Sequence, residues 1–172
     1  IDSRLSAREK AAVDEWIESK KQFHVMRDHP SHSNFAMSGG MWCVARGGFP
    51  QMETILKSTQ IGTNYVDDMH FLTKTVWPVA QRNVLQHDAF GCHSKKWGKS
   101  EPFPTKRVGL GHVGSVILNG KMRQGDVDIL QQNLDNDEFE KIGINYGNID
   151  SSYFVNELNF KLTPIIQFEY QS

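Results

Sequence analysis

Apolar residues recur at helical spacing almost from the start of the chain. Ala12, Val13, Trp16 and Ile17 form one stripe, which predicts an amphipathic helix over residues 7 to 20. Ser6-Ala7-Arg8-Glu9 leads into it as a capping box, in which Ser6 accepts from a backbone N–H and Glu9 reaches back. The pattern then shortens: Gln22 to Met26 reads as a short strand, and Pro30 ends whatever precedes it. Gly39-Gly40 and Gly47-Gly48 bracket a compact segment holding Met41, Trp42 and Val44. Pro50 is placed to open a second helix through Lys57. Met69, Leu72, Val76 and, less regularly, Phe71 supply the apolar side of a third helix over residues 67 to 77, with Pro78 as its stop.

Val84 to His87 reads as a strand that delivers His87-Asp88 to a loop, and residues 91 to 112 as an extended excursion rich in Gly, Lys and Pro. Val113 to Leu118 predicts a strand turning at Asn119-Gly120, a strong hairpin dipeptide. A short helix follows over Asp126 to Gln132. Beyond residue 135 come polar turns and the strand-like ends Leu158–Phe160 and Ile165–Tyr170. Helices and strands alternate through the first 130 residues, so the expected class is α/β.

Composition narrows the partners. At 172 residues, with 38% hydrophobic and 23% charged, the chain suits one soluble domain with a single core. A net charge of -1 gives no general pull toward nucleic acid, and no nucleic-acid partner is expected. Lys95-Lys96-Trp97-Gly98-Lys99 is a local cluster able to grip a phosphate. No stretch approaches the roughly 20 apolar residues that span a bilayer, so no transmembrane segment is expected. The first residue is Ile rather than Met, so the chain is expected to be processed, truncated or incomplete at its start; a cytoplasmic location is favoured. Cys43 and Cys92 form neither a disulfide framework nor a CxxC site and read as part-buried thiols.

Three polar patterns invite a chemical reading. His24, His29 and His32 have ligand-like spacing for zinc, but Pro30 interrupts any helix that would align them. The preferred reading is a polar loop at a strand end, with Arg27 and Asp28 positioning each other or a substrate; an arginine fork suits carboxylate or phosphate. Gly109-Leu110-Gly111-His112-Val113-Gly114 matches G-x-G-x-x-G literally. That fingerprint needs a strand before it and a helix after it, whereas Pro102-Phe103-Pro104 precedes and a β-like run follows, so a dinucleotide site is not expected. Asp67 and Asp68 head a helix, where carboxylates are also simply favourable.

Taken in order, "DSRLSAREKAAVDEW", "FHVMRDHPSHS", "SGGMW", "YVDDMHFLTKTVWP", "LQHDAF" and "PFPTKR" resemble a bacterial and viral glycosyltransferase-like family over residues 1 to 118. Met26-Arg27-Asp28-His29-Pro30 and the Gly-Gly-Met-Trp step are its most specific parts. The family looks like the GT-A class, which moves a sugar from a nucleotide-diphosphate donor to a glycan or protein acceptor. The resemblance implies a GT-A-like three-layer α/β fold and four stations in chain order. Asp2 would be the last Asp of a metal-binding D-x-D whose partner lies before Ile1, and His87 the late metal histidine. Their ion would be Mn²⁺ or Mg²⁺, which as a Lewis acid neutralises a diphosphate leaving group. Ser38-Gly39-Gly40 would be the glycine loop, since glycines let the backbone approach a sugar. Asp67-Asp68 would be the acidic station, with Asp68 favoured as the base; the family usually carries Gln where this chain has Met69.

The same resemblance makes Arg27, Asp28 and His29 substrate contacts at the sugar site. Trp42 either stacks on a sugar or anchors the core, and Arg107 either reaches a phosphate or lies on the surface. The nucleotide-binding βαβ half of a GT-A domain has no counterpart here. Residues 1–134 are therefore expected to be the C-terminal part of a catalytic domain, and 135–172 a β-rich extension of unknown role. An upstream segment or a partner chain would complete the sheet. The alternative is a half-domain with a non-catalytic task, carbohydrate binding or structural assembly.

Overall fold

A computed structural model describes residues 3–90 and 96–136, with side chains through residue 134. The chain is mixed helix and sheet. Ser6 caps α1 (Ala7–Ser19) by accepting from the Glu9 N–H at 3.1 Å, and Lys20 closes it in a left-handed conformation. β1 (Phe23–Arg27) follows and lies at the centre of a three-stranded sheet. β2 (Trp42–Val44) pairs with it antiparallel on one side, Phe23 facing Val44. β3 (Val84–Asp88) pairs with it parallel on the other, with Met26 facing His87 and Arg27 facing Asp88. Glu101 extends the far edge of β3 through a short parallel bridge at His87.

Every residue of β1 is buried, because the sheet is covered on both faces. Side chains alternate along a strand. Phe23 and Val25 therefore join Phe49, Phe71, Leu72, Val76 and Trp77 in the larger core. That core is closed by α2 (Met52–Ser58), through Met52, Ile55 and Leu56, and by the helical stretch after Asp67. Met26, on the other face, packs with Ala12 of α1, Met41, Phe103 and Val113.

The third helix departs from its expected end. α3 (Asp67–Phe71) runs into one turn of π-helix, Leu72–Val76, and then into α4 (Trp77–Ala80), so Pro78 lies inside the helical stretch. The Trp77 N–H reaches back five residues to the Leu72 carbonyl. A proline in a regular helix clashes with the carbonyl four residues earlier, and the widened turn is the device that accommodates it.

The loop around Gly109–Gly114 carries neither strand before it nor helix after it, as the sequence context requires. The hairpin is real but short: β4 (Ile117–Leu118) and β5 (Lys121–Met122) flank Asn119 and Gly120, both at positive φ. α5 (Gln124–Asn136) is longer than the expected helix at both ends. The expected strands at 158–160 and 165–170 lie outside the described residues. Among the described residues no helix is long and apolar enough to cross a membrane.

Candidate functional site

The stretch at the end of β1 is a closed electrostatic network. Asp28 is fully buried, and its carboxylate accepts from Arg8 at 2.8 and 2.9 Å, Arg107 at 2.6 Å and the Val113 N–H at 3.0 Å. Arg107 also donates to the carbonyls of Asp28 and Gly111, so it lies beneath the surface and ties the 105–115 loop to β1. Arg27 points to the opposite face. It donates to Gln86 at 2.8 Å, to Asp88 at 3.3 Å, and to the carbonyls of Phe35 and Ala36. Burying charge this deeply is tolerable only with such complete pairing. Arg27 and Asp28, expected at a sugar, are thus engaged within the protein.

The histidines fall into two groups that their spacing does not reveal. His24 and His87 face each other across β1 and β3, with Nε2 of the first 2.8 Å from Nδ1 of the second. His87 Nε2 lies 3.3 Å from the Glu15 carboxylate, which can only accept, so that nitrogen carries the proton. His87 Nδ1 is then an acceptor, His24 Nε2 donates, and His24 Nδ1 is a buried lone pair without a partner. Burial holds His24 neutral, its pKa lowered to about 3, with the neighbouring His87 adding to the effect.

His29, His32 and His112 form the second group, with ring centroids 4.7 to 5.8 Å apart. His29 donates from Nε2 to the Asp126 carbonyl at 2.9 Å and meets Ser31 through Nδ1, fastening the β1 loop to α5. Burial lowers His32 to about 3, with His29 and His112 contributing. Among the described residues no three His, Cys, Asp or Glu converge in a way that would hold a metal ion.

A different part of the molecule is open. Ser3, Arg4, Leu5, Glu9, Gly40, Met41 and Gly114 line a cleft of about 270 Å³. Gly40 has a φ of +73°, and a Cβ there would meet nothing within 4 Å. Its neighbour Gly39 has no such freedom: a Cβ built on it would come within 2.7 Å of Asp68 Oδ2. Gly39 and Asp68 therefore lie against each other, although 29 residues separate them (68 − 39).

Asp67 and Asp68 have different surroundings. Asp67 Oδ2 accepts from the backbone and side-chain amides of Asn64 at 2.8 and 3.0 Å, bracing the loop before α3. Asp68 is exposed and, among the described residues, accepts only from the Met69 N–H, at 2.8 Å. Ser38 is buried, and its carbonyl accepts from the Met41 N–H in the turn that presents the two glycines. Trp42 is half-buried against the larger core, which favours the anchoring role.

No family model, curated protein or solved structure matches the chain.

The metal set implied by the resemblance is not assembled from the described residues. Asp2 lies outside them, and both ring nitrogens of His87 already have partners. Metal binding by His87 would require breaking one of those bonds.

Glu9 is the cleft residue that the sequence did not flag. Its place three residues after Ser6 marked it as a capping residue, and it is one: the Ser6 backbone N–H stabilises its carboxylate. Burial outweighs that bond and raises its pKa from the ordinary carboxylate value. Nothing in the pattern of α1 signals the second role, because Gly40 and Gly114 approach it from distant parts of the chain.

Proposed function

We propose that this chain is the C-terminal part of a GT-A-like glycosyltransferase, transferring a sugar from a nucleotide-diphosphate donor to a hydroxyl of a glycan or glycoprotein. The observation that carries the reading is the meeting of stations scattered through the sequence. Gly40 shares a cleft with Ser3 and Arg4, the residues that follow Asp2, while Gly39 abuts Asp68. In this reading Asp68 takes the proton of the acceptor hydroxyl as its oxygen attacks the anomeric carbon and the nucleoside diphosphate leaves. Asp68 is exposed and in no ion pair among the described residues, as a base that must reach a substrate should be. Gly39 and Gly40 admit the sugar to the backbone, and Arg4 supplies a cation for phosphate. Arg27, Asp28, His29 and Arg107 act as the scaffold that fixes this edge rather than as ligands.

The test is a panel of nucleotide-sugars incubated with the full-length protein, with Mn²⁺, with Mg²⁺ and with chelator, release of nucleoside diphosphate being measured. Wild-type turnover should fall roughly 10²–10⁴-fold in Asp68→Asn, the usual cost of losing a general base. Asp67→Asn should lose far less. Turnover in Asp68→Asn equal to wild type would overturn the reading. Absent turnover with retained binding of glycans would favour the non-catalytic carbohydrate-binding alternative.

A further inference from the structure

We propose that Glu9 and Arg4 form a hydroxyl-binding pair that receives a single pyranose ring in the cleft between the start of α1 and the Gly40 turn. The inference deepens the glycosyltransferase reading by assigning the sugar subsite, and rests on it for the sugar's role in transfer.

Three features of the cleft support it. Its volume of about 270 Å³ falls just below the roughly 300–1,000 Å³ typical of sites for drug-sized ligands, so it suits one sugar ring better than an entire nucleotide-sugar. Its lining is mostly apolar, with three polar side chains among it. Glu9 offers carboxylate acceptors, Arg4 a fork of donors and Ser3 a hydroxyl, while Met41 and Leu5 present apolar surface to the C–H face of a ring. Finally, Gly40 leaves its wall open, whereas Gly114 lies against Met41, whose Sδ a Cβ there would meet at 2.7 Å; both glycines hold positive φ, so side chains there are disfavoured.

Glu9 has capacity for the task. A carboxylate has two oxygens and about four acceptor positions, of which the Ser6 N–H uses one. Burial raises its pKa, because part of the carboxylate's hydration is lost.

Gln also completes a capping box, so Glu9→Gln keeps the helix start and removes the charge. The experiment measures binding of methyl pyranosides of glucose, galactose and mannose to the full chain by saturation-transfer NMR, alongside thermal melts. At least one pyranoside should bind the wild type, and Glu9→Gln should weaken it about tenfold, the loss of a charge-assisted hydrogen bond, without lowering the melting temperature. Arg4→Ala should weaken the same sugar. Equal affinity in wild type and Glu9→Gln overturns the subsite, as does a wild type that binds no pyranoside. Donor turnover, assayed separately, distinguishes the cases. Turnover without pyranoside binding sinks the subsite alone, whereas Glu9-dependent binding without turnover keeps the subsite and sinks the transferase.

Discussion

Asp28 and Glu9 are both carboxylates near the N-terminal half of α1, yet the fold treats them oppositely. Asp28 is enclosed by Arg8, Arg107 and a backbone N–H, each at hydrogen-bond distance. Glu9 lies on the wall of a cleft with one backbone partner and bare glycine nearby. The difference teaches where function should be sought. A fully paired buried charge has no capacity left for a ligand, while a part-buried carboxylate beside open volume does. It also explains why the most distinctive motif of the sequence, Met26 to Pro30, belongs to the scaffold.

The sharpest way to break the comparison is to remove the enclosed charge. Asp28→Ala leaves two arginines and the Val113 N–H without their acceptor and should cost about 3–5 kcal/mol, read as a fall in urea midpoint. Glu9→Ala should cost only about 1 kcal/mol, the value of a cap. Equal losses would mean that the two carboxylates are not in different environments.

Acid should attack the enclosed side next. His24 and His32 titrate near 6.5 when unfolded but at about 3 when folded, so the unfolded chain takes up protons first. Their contribution is complete above pH 6.5 and declines as pH falls toward 3, at roughly 1.4 kcal/mol per pH unit for each histidine. Urea midpoints between pH 7 and 4.5 measure the slope, and His24→Phe should make it shallower. A flat profile would contradict the buried, neutral state.

Smaller effects sharpen the open side. Gly39→Ala must push Asp68 Oδ2 from a position 2.7 Å from the new Cβ. Because Asp68 is an exposed side chain it can move, so stability should change by less than about 1 kcal/mol while donor turnover falls. Gly40→Ala meets no atom but keeps φ at +73°, and should cost about 1 kcal/mol in thermal stability. Smallest of all is Lys10→Ala, which breaks an exposed pair with Asp14 at 2.5 Å and should shift stability by no more than about 0.5 kcal/mol.

Local rules made much of the fold legible. The capping box and stripe of α1, the β1 and β3 segments and the Asn119-Gly120 turn all depend on neighbours within a few residues. Pro78 misled because the rule that a proline stops a helix assumes a regular turn, and the turn before it is wider. Among candidate site residues, nothing in the spacing signals that Gly39 and Asp68 approach each other. The His24–His87 bond spans 63 residues, and no spacing rule brings such a pair together. Glu9 was hidden differently: a local role explained it so well that a second one left no trace in the sequence.

The π-turn at Leu72–Val76 acts as a phase adjuster between two halves of one rod. Each residue added to or removed from a helix rotates what lies beyond it by about 100°, because 3.6 residues complete a turn. Phe71 and Leu72 before or within the wide turn and Val76 and Trp77 at its end all lie in the core, so deleting one residue from it would force one set out of register. If α4 kept its contacts, Asp68 would circle away from Gly39 as Phe71 and Leu72 left theirs. The alignment of Asp68 with the Gly39 backbone is thus a matter of angular phase, set by one surplus residue in the turn that follows.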